Sequence, residues 1–235
     1  RHRMANLLLS GDDRRQPVDV VTWLGAMQAQ DLGSGKWSFG VRLPGQTETS
    51  IDDAIAEGQV LRTWPMRGTI HFVPPRDARW MLETTGIRML SGVRARWDYL
   101  GLDKETVDRS AAILDDALRG GTILTRGAAM QVLTEAGIDV SGQRAYHVIW
   151  YASQIGVTCL GPQQGKEQTI VRLADWAPDQ VQRDASDGMR ELALRYVQGH
   201  GPVTHQDFAR WAGIGATEAK KALTANDGAV RLVDT

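Results

Sequence analysis

One cysteine, Cys159, stands in 235 residues. That excludes an internal disulfide framework and fits a reducing cytoplasm. No apolar run approaches the roughly 20 residues that cross a bilayer, and the first eleven residues lack the apolar centre of a secretory leader, so no membrane association is expected. Neither sign of charge dominates: 27 Lys and Arg stand against 28 Asp and Glu. Metal-binding spacings are missing as well. There is no Cys-x-x-Cys, and the histidines at 2, 71, 147, 200 and 205 never form His-Glu-x-x-His. Neither a metal nor a cofactor is expected. The segment Gly161-Pro-Gln-Gln-Gly165-Lys166 is one residue short of a phosphate loop, and Glu167 stands where a hydroxyl is needed, so it reads as a hairpin tip.

What is present is a repeat. Thr106–Leu118 has helical spacing after a capping Asp103, and Gly120-Gly121 ends it. Thr125 opens a helix over Arg126–Ala136, and Arg144–Ile155 forms a third, with Tyr146, Ile149, Trp150 and Ser153 along one stripe. Two strand-like runs follow, Val157–Gly161 and Thr169–Leu173. Three helices and a hairpin is the winged-helix order, in which the third helix ordinarily enters the major groove of DNA. The order restarts after a linker at Ala177–Asp187, with helices over Asp187–Gln198, Thr204–Trp211 and Ala216–Ala225 and a strand beginning at Val230–Val233. The first hundred residues fit a more divergent unit. It has helices at Val18–Met27 and Ile51–Glu57, a hairpin of Val60–Trp64 and Thr69–Val73, and a long helix at Asp77–Leu90.

The expected fold is therefore mainly α with β-hairpin wings. It comprises three tandem winged-helix units over 1–101, 102–180 and 181–235, the third truncated at the chain end. The opening arginine and the unfinished last strand suggest a fragment of a longer protein. The architecture points to double-stranded DNA as partner, bound by a monomer. The near-neutral charge is answered locally, since Arg62 to Arg96 holds seven arginines against Asp77 and Glu83, whereas acids such as Asp12 and Asp13 lie elsewhere. Those arginines either form one cationic face or are scattered over a solvated surface.

Two stretches carry candidate chemistry. In Met27-Gln28-Ala29-Gln30-Asp31 the two glutamines diverge on a helix but share one face of an extended chain. There they either hold a water between their carbonyl oxygens or are simply polar residues at a helix end. Asp31 is placed to orient a glutamine or tune the local charge. In Leu61-Arg-Thr-Trp-Pro-Met-Arg-Gly-Thr-Ile-His71, Arg62 and Arg67 are candidates for phosphate contacts. Trp64 either stacks on a base or fills the core, and His71, in an alternating apolar run, reads as structural.

These two stretches, about thirty residues apart, resemble the tandem winged-helix DNA glycosylase family of azinomycin-resistance and alkylpurine glycosylases. The resemblance runs from the first residues to the last. It implies three winged helices in a C shape around DNA, with a Gln-x-Gln motif, matched by Gln28 and Gln30, that positions the hydrolytic water. Arg67-Gly68-Thr69 matches a second family signature, and Arg62, Arg67, Thr69, Arg94 and Arg96 become the candidate DNA contacts. The implied reaction is hydrolysis of the N-glycosidic bond of N7-alkylated purines, with unhooking of crosslinks, by a monofunctional glycosylase in the cytoplasm at the nucleoid. Lys36 is the only lysine near the glutamines, so a Schiff-base lyase is disfavoured. The alternatives are a non-enzymatic winged-helix DNA-binding protein, regulator or damage-binding module, and a scaffold for protein partners.

Overall fold

The structure, a computed structural model, describes residues 2–10 and 15–231. The acids at 12 and 13 and the end of the strand expected at Val230–Val233 lie outside them. Val230 itself makes a single bridge to Asp227.

After a short helix α1 (His2–Asn6), α2 (Pro17–Leu24) starts on Pro17 within a Gln16–Asp19 capping box. It ends three residues before the expected Met27. Gly25 takes φ +79°, which stops the helix and frees Met27–Gln28 to become strand β1. Asp31 caps α3 (Leu32–Gly40), which sequence analysis missed. Three glycines hide its periodicity, but packing requires at least one of them. A Cβ on Gly35 would sit 2.8 Å from the Phe72 ring, and Phe39 meets that ring edge-on at 5.0 Å. Thr47 caps α4 (Glu48–Ala56).

Strands β2 (Leu61–Met66) and β3 (Thr69–Val73) form the expected hairpin. Its two-residue tip, Arg67 and Gly68, has positive φ at both positions, the geometry that matches strand twist. The long helix expected at Asp77–Leu90 is split into α5 (Ala78–Thr84) and a 3-10 stretch, Gly86–Gly92. The break has two causes. The Thr85 hydroxyl donates to the Pro65 carbonyl at 2.6 Å, and Gly86 passes so close to β2 that a Cβ would lie 3.0 Å from the Trp64 carbonyl. A further helix, α6 (Arg94–Leu100), follows and closes on the left-handed Gly101.

The middle segment has the order read from the sequence: α7 (Lys104–Ala117), β4 (Leu124–Thr125), α8 (Arg126–Glu135), α9 (Arg144–Gln154), β5 (Thr158–Leu160) and β6 (Thr169–Arg172). Asp103 and Thr125 cap as expected, accepting from the amides of Thr106 and Ala128. Gln164 and Glu167 pair across the turn between β5 and β6, so the Gly161–Lys166 segment is a wing tip. After α10 (Leu173–Trp176), helices α11 (Ala185–His200), α12 (His205–Ala212) and α13 (Ala216–Thr224) repeat the three-helix order, with Thr204 and Gly213 closing the two ends of α12. The intervening linker is docked rather than free. Gln180 donates to the Pro75 carbonyl at 2.9 Å, and Val181 to that of Arg76 at 2.7 Å.

The chain is thus mainly helical around one small antiparallel sheet, in the order β1-β3-β2-β5-β6-β4. The first hairpin and the second wing meet where Arg62 pairs with Leu160. Strand alternation assigns the cores. Phe72, Trp64, Leu160 and Ile170 lie on one face, against α3, α4 and α7 to α9. Leu61, Val73, Cys159 and Val171 lie on the other, with Trp80, Leu192 and Phe208 of α5, α11 and α12.

Candidate functional site

The glutamines owe their positions to the residues between them. Met27 and Ala29 are buried, so an extended chain turns Gln28 and Gln30 outward, and both are exposed. Gln28 stands opposite His71, which stands opposite Thr63, so the three side chains share one face at the sheet edge. Gln30 lies just past the strand. Its Oε1 accepts the Ile70 amide at 3.0 Å, while the Ala29 amide donates to the Ile70 carbonyl at 2.8 Å. The side chain takes the place of a backbone acceptor and extends the ladder by one bond. Its oxygen keeps one lone pair.

Asp31 does not orient either glutamine. Its Oδ1 accepts the Ser34 amide at 2.8 Å as the cap of α3, and the bonds from Ser34 hold its pKa low. Lys36 is also committed, 3.0 Å from Glu48 and 2.6 Å from Asp52. Burial alone lowers its pKa, but the two carboxylates outweigh that and raise it, so the amine is cationic.

The arginine-rich segment does not form one face. Arg62 is only 3 % exposed: it donates to Gln168 at 2.8 Å and to the Ala29 carbonyl at 3.3 Å, and burial lowers its pKa to about 10. It is an interior tie at the junction of the two hairpins, not a phosphate contact. Its place in a strand buried along its whole length explains why. The Thr69 hydroxyl is likewise buried and unpartnered rather than turned to a ligand. Arg88 is held by both oxygens of Glu218. Arg67, Arg94 and Arg96 do face outward, with Arg96 bonded to Gln143 and its guanidinium 5.0 Å from the Tyr99 ring. Arg67 at the hairpin tip packs against Gly213 and reaches His71, Nη2 to Nε2 at 3.5 Å.

His71 is buried, and its Nδ1 lies 2.9 Å from the Thr69 carbonyl. That bond fixes the proton on Nδ1 and leaves Nε2 as the acceptor toward Arg67. Burial, aided by the Arg67 charge against the Thr69 bond, lowers its pKa to about 4 and keeps the ring neutral. Trp64 is a wall of the core, at 5 % exposure. Sequence reasoning gave neither Arg126 nor Tyr146 a role. Of the residues read along one stripe of α9, Ile149, Trp150 and Ser153 are buried, whereas Tyr146 is 45 % exposed.

Helices packed on both faces of one small antiparallel sheet, with an exposed glutamine pair at its β1 edge, define a mainly helical protein. Residues 21–235 match the model of the DNA glycosylase AlkZ-like family, and the chain belongs to that family. It is 26% identical over 226 residues to an interstrand DNA cross-link repair glycosylase of Streptomyces sahachiroi, an alignment covering 89% of this chain and 59% of that protein. In fold it is similar to the solved structure of Streptomyces sahachiroi DNA glycosylase AlkZ, with a TM-score of 0.78 and 22% identity over 95% of this chain and 63% of the other. The chain thus spans about three fifths of the length of the relatives it matches.

Proposed function

We propose that the protein is a monofunctional DNA glycosylase that hydrolyses the N-glycosidic bond of N7-alkylated purines in double-stranded DNA and unhooks crosslinks built on such adducts. It acts as a monomer in the cytoplasm, through three tandem winged-helix units over 1–101, 102–180 and 181–235. Membership of the family supports a glycosylase. The observation that carries the mechanism is the outward-facing Gln28–Gln30 pair, with Gln30 locked by the Ile70 amide. The free lone pair on Gln30 and the Gln28 carbonyl hold the attacking water and turn negative dipole ends toward the sugar. Alkylation at N7 makes the base a cationic leaving group, so bond cleavage leaves an oxocarbenium-like sugar and needs no strong base. Undamaged bases are neutral leaving groups and are poor substrates. The ion-paired Lys36 has no free amine lone pair for a Schiff base, which favours hydrolysis over lyase chemistry.

Release of 7-methylguanine from methylated DNA tests this. Gln28→Ala/Gln30→Ala is expected to cut the rate at least a hundredfold with unchanged DNA affinity, on the scale of losing an oriented catalytic dipole. Equal rates in wild type and double variant sink the catalytic assignment. Tight DNA binding with no base release makes the protein a binding module.

A further inference from the structure

A recess of about 160 Å³ lies on the sheet face opposite Gln28, between the first hairpin and α9. Trp64 and Ile70 form one wall, Ile149 and Trp150 another, and Tyr146 overhangs the mouth. This is smaller than the roughly 300–1,000 Å³ of drug-sized ligand pockets and suits one planar ring system. Arg126 lines the rim, exposed and without a carboxylate partner among the described residues. Arg96 is bonded to Gln143, the residue that precedes α9 and stands three positions before Tyr146. The recess is linked to Gln30, because Ile70, whose side chain lines it, is the residue whose amide holds the Gln30 oxygen.

From these features we infer that the recess is a nucleobase-binding site, holding one base unstacked from bound DNA beneath Tyr146, between the Trp64–Ile70 wall and the Ile149–Trp150 wall. Aromatic walls stack on any base, and Arg126 at the rim fits a phosphate beside it. With the sugar at the glutamines on the sheet edge, a base turned across Ile70 enters the recess. The inference rests on the glycosylase reading for the position of the sugar, but not for the stacking itself. The occupant is either the alkylated purine or the base opposite it, both recognised by the same chemistry.

The test uses the whole chain with 13C-labelled isoleucine methyls and a duplex carrying one 2′-fluorinated 7-methyldeoxyguanosine, whose glycosidic bond is stabilised. Ring-current shifts are expected at Ile70, Ile149 and Ile170, and not with an undamaged duplex. A second duplex, abasic opposite the lesion, separates the sources: shifts that persist assign the recess to the damaged purine, and shifts that vanish assign it to the opposing base. Ile149→Trp, which fills the recess, and the exposed Tyr146→Ala are each expected to weaken damaged-duplex binding roughly tenfold. Methyl signals that stay in place while the duplex binds overturn the inference. Shifts in a wild-type protein that releases no base instead leave the recess standing and refute the glycosylase reading.

Discussion

At the scale of single residues, the site separates groups that sequence reasoning lumped together. Arg62 and Arg67 are five residues apart, yet one is sealed between hairpins and the other is on a tip. Arg67→Ala, Arg94→Ala and Arg96→Ala are each expected to reduce the slope of log affinity against log salt by about one. Arg62→Ala leaves that slope alone and lowers stability by roughly 2–4 kcal/mol, because it removes two bonds from a charged donor and orphans the Gln168 oxygen. Salt titrations and denaturant melts distinguish the two classes. His71 makes a pH prediction. Its folded pKa of about 4 lies below the unfolded value, so below pH 6.5 the unfolded chain binds the extra proton. The stabilisation is complete above pH 6.5 and is lost as pH falls toward 4, by roughly 3 kcal/mol in total. In His71→Gln that part of the slope of stability with pH should disappear.

At the scale of elements, the glycines that close helices also set the contacts of the site. Gly213 ends α12 at φ +71°, and a Cβ there would fall 2.7 Å from Arg67 Cγ. Gly213→Ala combines backbone strain of about 1 kcal/mol with displacement of the hairpin tip. A drop in melting temperature of roughly 2–4 °C and weaker DNA binding are expected. Gly215→Ala is the control, since that position has negative φ and open space around it. Comparable losses in both variants refute the coupling of α12 to the tip. Caps and turns were legible because each is a local event: Asp103, Thr125 and Thr204 bond to amides three residues ahead. The helix α3 was not, because Gly35 is explained by Phe72, almost forty residues away in sequence. The split of α5 has the same kind of cause, a strand pressing on Gly86.

At the scale of the whole molecule, α11 is tied to the start of α5 through a buried ion pair. Asp77, 1 % exposed, accepts Trp80 Nε1 at 2.9 Å and Arg195 Nη1 at 2.5 Å, and Arg195 also bonds Glu191 at 2.7 Å. The Arg195 guanidinium lies 5.7 Å from the centre of the Trp80 ring. Arg195→Ala leaves a buried carboxylate without its cation and is expected to cost about 3–5 kcal/mol in denaturant unfolding. The double variant Asp77→Asn/Arg195→Leu should regain most of that loss. If it falls as far as the single variant, the uncompensated charge is not the cause.

The sequence by itself determined the order of helices from α7 to α13, the hairpin of β2 and β3, and the alternation that turns Gln28 and Gln30 outward, because periodicity, capping and turn chemistry act over a few residues. The tertiary structure decided which of these residues meet. It joined two hairpins into one sheet through Arg62, turned Asp31 and Lys36 away from the glutamines, fixed Gln30 on the Ile70 amide, and opened the recess under Tyr146. Each depends on close approach between segments tens of residues apart, and packing at that distance leaves no period in the chain.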